Sequence, residues 1–102
     1  MTQVILGAGG DIGRPLAKEL KQYANRVRLV SRHPEQVNGD DELVPADLLL
    51  AEQVDKAVAG AEVAYLAAGL KYDLRVWQKS WPVIIGNVIN ACLKHNAKLV
   101  FF

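Results

Sequence analysis

The chain has 102 residues, 51% of them hydrophobic, which is enough apolar material for one cored domain and too little length for two. Twelve Lys and Arg against eleven Asp and Glu give a formal net charge of +1, with no basic block to neutralise a phosphate backbone, so no nucleic-acid partner is expected. No apolar run approaches the ~18 residues of a membrane span, and Met1 runs into an apolar strand without the charged region of a signal peptide; the expectation is a cytoplasmic protein with no membrane partner.

The stretch Val4-Ile5-Leu6-Gly7-Ala8-Gly9-Gly10-Asp11-Ile12-Gly13 passes from an apolar run through a glycine cluster into an amphipathic segment, which predicts strand, tight turn and helix. Glycines let the chain reverse with positive φ and let a ligand lie against bare backbone. The helix that follows begins with unpaired N–H groups at the positive end of its dipole, a ready site for pyrophosphate. Pro15 suits its first turn, Leu16, Ala17 and Leu20 recur at helical spacing, and the helix should run to about Tyr23 with Asn25 as a stop.

Val27 to Ser31 is a short second strand. Pro34, Asn38, Gly39, Asp40 and Asp41 then keep any helix between His33 and Asp41 brief. Leu43 to Ala46 reads as a third strand, placed at a sheet edge because Pro45 cannot donate to a ladder. Leu49 to Ala59 is helical, with Leu50, Val54, Ala57 and Val58 on one face and Gly60 closing it. Ala61 to Gly69 is nearly continuous in apolar character, which predicts a parallel, central fourth strand covered on both faces.

Leu74 to His95 is the longest helical region, broken or delayed by Pro82, with Lys94 and His95 at its negative end. The single cysteine, Cys92, sits there between Ala91 and Leu93 as buried filler rather than a nucleophile. Lys98 to Phe102 begins a fifth strand, and the sequence stops inside it. The alternation β-α-β-α-β-α-β-α-β predicts an α/β fold, a Rossmann-type doubly wound parallel sheet of order 3-2-1-4-5, truncated after strand 5. Its ligand crevice lies outside the carboxyl ends of strands 1 and 4.

Gly7, Gly10 and Gly13 fit G-x-x-G-x-x-G, whereas G-x-G-x-x-G would need glycine at Ile12. With a strand before it and a helix after it, this motif resembles that of the extended short-chain dehydrogenase/reductases, the NAD(P)-dependent epimerase/dehydratase family. The resemblance implies a cofactor cradle at Gly7, Gly10, Asp11, Ile12 and Gly13. Asp11 stands where that family usually has an apolar or aromatic residue, and as an N-cap it would satisfy N–H groups the phosphates otherwise use.

At the end of strand 2 an acidic residue would bind a ribose 2′-hydroxyl and repel a 2′-phosphate. This chain has Ser31, Arg32 and His33 instead, a hydroxyl donor and a guanidinium that can stack on adenine and pair with a 2′-phosphate. The cofactor is therefore NADP or NAD, with NADP favoured. Asp47 and Leu48 resemble the family's acidic-apolar pair, whose carboxylate accepts from the adenine amino group; Asp47 is equally readable as N-cap of the helix beginning near Leu49. Leu66, Ala67 and Ala68 resemble its strand-4 segment of small residues, where a ribose approaches the backbone.

The helical segment around Asn87-Val88-Ile89 partly resembles the family's N-x-x-G-T-x-N pattern, with Ile84 and Ile85 at the glycine and threonine positions. Trp77 and Trp81, four apart, read as a cap on the core or an oligomer face. The family's catalytic Tyr-x-x-x-Lys pair is missing: Val27, Gly69 and Val76 stand four places after Tyr23, Tyr65 and Tyr72.

The resemblance thus implies the cofactor-binding portion of an epimerase, dehydratase or reductase working by hydride transfer, with sugar nucleotides among its substrates. The small-molecule substrate would be held by residues beyond Phe102. The alternatives are a non-catalytic NAD(P)-binding redox sensor and, behind it, a nucleotide-free interaction domain. No metal site is read. An open edge at Leu99-Val100-Phe101-Phe102 predicts a homodimer or aggregation through that strand.

Overall fold

The computed structural model describes residues 2–8, 13–24, 26–67 and 74–101, with side chains in the last span from residue 78. Five parallel strands, β1 (Thr2–Leu6), β2 (Arg26–Ser31), β3 (Glu42–Pro45), β4 (Val63–Leu66) and β5 (Lys98–Phe101), form one sheet of order β3-β2-β1-β4-β5. Among the described residues three helices connect them, α1 (Gly13–Leu20), α2 (Ala51–Val58) and α3 (Leu74–His95). Pro45 lies in β3 at the sheet edge, where its missing donor breaks no inner ladder.

Side chains alternate across the strands and divide the core in two. On one face Val4, Leu6, Val30, Ala64 and Leu66 pack beneath α2 and α3, through Val54, Val58, Ile84, Val88 and Cys92. On the other, Ile5, Val27 and Leu29 pack beneath α1, through Ala17 and Leu20. Each fully buried Val, Leu or Ile contributes about 1.5–3 kcal/mol. Burial pushes the Cys92 thiol up, as expected of core filler.

Several details differ from the sequence reading. Between β2 and β3 there is no helix: Asp41, buried at 7% exposure, accepts from the N–H groups of Val37 (3.1 Å) and Asn38 (2.6 Å), and Asn38 Nδ2 reaches the Ala17 carbonyl of α1 at 3.0 Å. These side-chain bonds offer the backbone a turn in place of a helix. The first helix ends at Leu20 and continues only as a turn through Tyr23, while the Asn25 stop lies outside the described residues.

Two further readings are corrected. Helix α3 is not interrupted at Pro82; both Pro82 and Gln78, whose carbonyl it leaves without an N–H, are exposed, so the break in the ladder falls on the solvent side. Strand β4 is inner and parallel, yet Val63 and Tyr65 are only half-buried, because α2 and α3 share one face while α1 sits over β1 and β2 on the other. The Tyr65 hydroxyl donates to Gln3 Oε1 at 2.8 Å across that face, and burial pushes the phenol up.

The C-terminal ends of α2 and α3 follow capping rules. Gly60, at φ 79°, stops α2, as its sequence position indicated. Asn96, at φ 56°, ends α3, with the Ala97 N–H reaching back to the Cys92 carbonyl at 2.9 Å. A third device was not legible beforehand. Arg28 of β2 reaches the edge-strand carboxylate of Glu42 and donates to the Ala57 and Ala59 carbonyls at 2.6 and 2.8 Å, satisfying the last turn of α2.

Candidate functional site

The carboxyl ends of the inner strands reach one rim of the sheet. Register places Leu6 beside Val30 and Leu66, and Ser31 beside Pro45, so the chain leaves β1, β2, β3 and β4 at a common level. Order reverses between β1 and β4, and the Ala67 N–H donates to the Leu6 carbonyl at 2.9 Å there. Leu66 and Ala67 are both buried at 1% exposure.

Gly7 turns the chain at φ 85°, a conformation L side chains rarely adopt. The N–H groups of Gly7 and Ala8 both donate to the Val30 carbonyl, at 2.8 and 3.0 Å. This pins the turn to β2 and leaves neither N–H for a ligand, so the part Gly7 plays is conformational. Gly13 is buried at the start of α1, and a Cβ on it would lie 2.4 Å from the Ala8 carbonyl oxygen and 2.7 Å from the Ala8 Cα. Only glycine lets the helix start sit this close to the strand-1 exit. Gly10, Asp11, Ile12 and Ala68 lie outside the described residues, as does the side chain of Trp77. Trp81 packs, partly buried, against the α2–α3 side of the core.

Ser31 ends β2 with its Oγ buried and without a hydrogen-bond partner among the described residues. A hydroxyl left so costs about 1–3 kcal/mol in the folded protein. Arg32 beside it is exposed, with no hydrogen bond or ion pair among the described residues.

Asp47 is not the N-cap of α2. That position belongs to Leu50, which is 48% exposed and makes no side-chain cap bond, so Leu50 is also not on the buried face with Val54, Ala57 and Val58. Asp47 instead closes a turn ahead of the helix: its Oδ1 accepts from the Leu49 N–H at 2.9 Å and its carbonyl accepts from the Leu50 N–H at 3.0 Å. Gln53 Oε1 reaches back from α2 to the Asp47 N–H at 2.7 Å, and Asn87 of α3 donates to the Leu48 carbonyl at 3.0 Å. Sequence reasoning gave neither amide a role. The available signal was a polar Asn87 on the apolar α3 face between Ile84 and Val88, both buried.

Among the described residues no group of three His, Cys, Asp or Glu is placed to hold a metal ion. No helix among them is long and apolar enough to cross a membrane.

Comparison with known proteins matches residues 7–102 to the family described as NAD(P)H-binding. Curated protein sequences give no match. Among solved structures, uronate dehydrogenase from Agrobacterium tumefaciens superimposes with a TM-score of 0.85 at 24% identity, over 98% of this chain and 39% of that one. A mutant of that enzyme was crystallised with NAD. Glucuronic acid dehydrogenase from Chromohalobacter salexigens gives 0.84 at 19% identity, over 98% of this chain and 39% of that one. A short-chain dehydrogenase/reductase from Veillonella parvula gives 0.72 at 18%, over 98% of this chain and 45% of that one. The chain thus spans less than half the length of each of these structures. With its glycine turn, its 3-2-1-4-5 parallel sheet and a family match from Gly7 to the last residue, the chain belongs to the NAD(P)H-binding family and has a Rossmann-type fold.

Proposed function

We propose that this chain binds the adenosine-pyrophosphate half of NADP or NAD at the rim, with NADP favoured. It would be the cofactor-binding part of an oxidoreductase of short-chain dehydrogenase/reductase type. The observation that carries the reading is the buried, unpartnered Ser31 hydroxyl at the end of β2 beside the exposed Arg32. Such an orphaned group is one that a bound ligand satisfies. The residues present fit a dinucleotide in two more respects: Gly7 and Gly13 hold the α1 start against the β1 exit, and no acidic side chain stands at the end of β2 to repel a 2′-phosphate.

In this reading Gly10, Asp11, Ile12 and Gly13 line the pyrophosphate, Ser31 and Arg32 hold the ribose 2′-position, and Asp47 with Leu48 borders the adenine. Leu66, Ala67 and Ala68 line the second ribose. The dinucleotide, when bound, supplies a two-electron hydride acceptor or donor. A small-molecule substrate, a cytoplasmic setting and pairing of two copies along β5 belong to the same proposal; epimerase and dehydratase chemistry are variants of it.

Calorimetric titration of NADP and NAD is the test. Both should bind, NADP at least as tightly. Ser31→Ala should leave the melting temperature unchanged or raise it, because an unsatisfied hydroxyl is removed, while weakening NADP. Tight binding of NAD alone would overturn the roles of Ser31 and Arg32, and binding of neither would overturn the site.

A further inference from the structure

The turn from Ala46 to Leu50 lies between two helices and is tied to both. From α2, Gln53 Oε1 holds the Asp47 N–H at 2.7 Å; from α3, Asn87 Nδ2 holds the Leu48 carbonyl at 3.0 Å. The Ala46 N–H is bonded to the Ser31 carbonyl at 2.9 Å, which fixes the turn's entry to the end of β2. Asp47 Oδ1 is spent on the Leu49 N–H at 2.9 Å, and Oδ2 takes no hydrogen bond among the described residues. The carboxylate therefore presents one acceptor oxygen, aimed by a turn whose backbone is held at three points.

Asn87 is the member of this set that comes from the other half of the fold. Helix α3 joins β4 to β5, whereas the turn joins β3 to α2, 39 positions earlier in the chain. Leu49 and Leu50 are exposed at 43% and 48%, so packing of their own side chains does little to hold the turn. Asn87 is partly buried between Ile84 and Val88, where an amide that lost its carbonyl partner would be left poorly satisfied.

We infer that Asn87 is a positioning residue: through the Leu48 carbonyl it aims the Asp47 carboxylate so that Oδ2 accepts the exocyclic amine of a 6-aminopurine and refuses a 6-oxopurine. This inference rests on the dinucleotide reading above. A 6-oxopurine presents an acceptor where the amine presents a donor, and two acceptors facing each other repel. Losing the amide bond lets the turn shift, and the discrimination goes with it even though Asp47 is intact.

The experiment compares NAD with its hypoxanthine analogue, deamino-NAD, on the full chain and on Asn87→Leu and Asn87→Asp. The wild type should bind NAD about tenfold more tightly, the size of one charge-assisted hydrogen bond. In Asn87→Leu, NAD should weaken toward the affinity of deamino-NAD while deamino-NAD changes little, so the ratio falls toward one. A purely structural role for Asn87 would weaken both ligands in parallel. Asn87→Asp removes the donor with minimal change of shape, and covers the case in which the leucine variant does not fold.

In the ligand-free proteins, amide exchange at Leu49 should quicken in either variant. A wild type that binds neither dinucleotide overturns the dinucleotide reading and this inference with it. A wild type that binds both equally removes Asp47 from adenine recognition. A variant that folds and keeps the wild-type ratio removes Asn87 alone.

Discussion

At Gly13 the missing side chain is a packing requirement, since a Cβ would meet the Ala8 carbonyl oxygen at 2.4 Å and the Ala8 carbonyl carbon and Cα at 2.7 Å. All three are backbone atoms and cannot rotate away. Gly13→Ala should therefore destabilise the fold by about 1–3 kcal/mol, the usual penalty of overpacking, lowering Tm by roughly 4–8 °C per kcal/mol. The same displacement of α1 from the β1 exit should weaken dinucleotide binding. Thermal denaturation with and without NADP checks both, and an alanine variant with wild-type Tm would show that the helix start has room to move. The glycine spacing marked Gly13 as part of a ligand cradle and did not show this packing requirement or what Gly7 contributes, because only the tertiary structure brings the Ala8 backbone against Gly13 and the Gly7 N–H to the Val30 carbonyl.

At the scale of elements, polar contacts among the described residues tie α3 to the turn ahead of α2 through Asn87 near the rim, and to α2 itself through an ionic contact nearer the other end of α3. Asp55 of α2 accepts from His95 Nε2 at 2.8 Å and from Lys94 Nζ at 3.3 Å. The His95 hydrogen bond, and after it the Lys94 contact, outweigh partial desolvation and hold the Asp55 carboxyl below its usual 3.8. A carboxyl lowered in the folded state adds stability above its unfolded value and loses it as pH falls through the folded one. The gap in urea midpoint between wild type and Asp55→Asn should thus be full above about 3.8 and close as the pH is taken below it. A gap that persists unchanged in acid would mean that the contact does not depend on the charge of Asp55. Sequence reasoning placed Lys94 and His95 correctly at the negative end of α3, but pairing with a residue 39 or 40 positions earlier is a product of how the helices cross.

For the molecule as a whole, the asymmetry of the sheet matters most. One face carries α2 and α3, while over β4 and β5 on the α1 side Val63, Tyr65 and Val100 stay half-open. Among the described residues β5 hydrogen-bonds only to β4, and Phe101 is 51% exposed. An apolar open edge with Lys98 as its one charge is suited to pairing with another edge. These 102 residues should therefore sediment as a dimer or larger species, and Val100→Lys should shift them toward monomer. A wild-type chain that stays monomeric at high concentration would overturn the pairing.

Strand order, the glycine turn, the edge position of Pro45 and the Gly60 stop followed from the sequence, because each depends on local stereochemistry or on the alternation of apolar periods. The absence of a helix between β2 and β3, the continuity of α3 through Pro82 and the turn made by Asp47 did not. In each of these the deciding partner is set by the tertiary arrangement: the Ala17 carbonyl for Asn38, solvent for Gln78 and Pro82, and the Gln53 and Asn87 amides for the turn at Asp47 and Leu48. Local sequence set which residues could form strands, turns and helices, and the tertiary structure alone decided which polar groups those elements would satisfy and which, like Ser31 Oγ, would have no partner among the described residues.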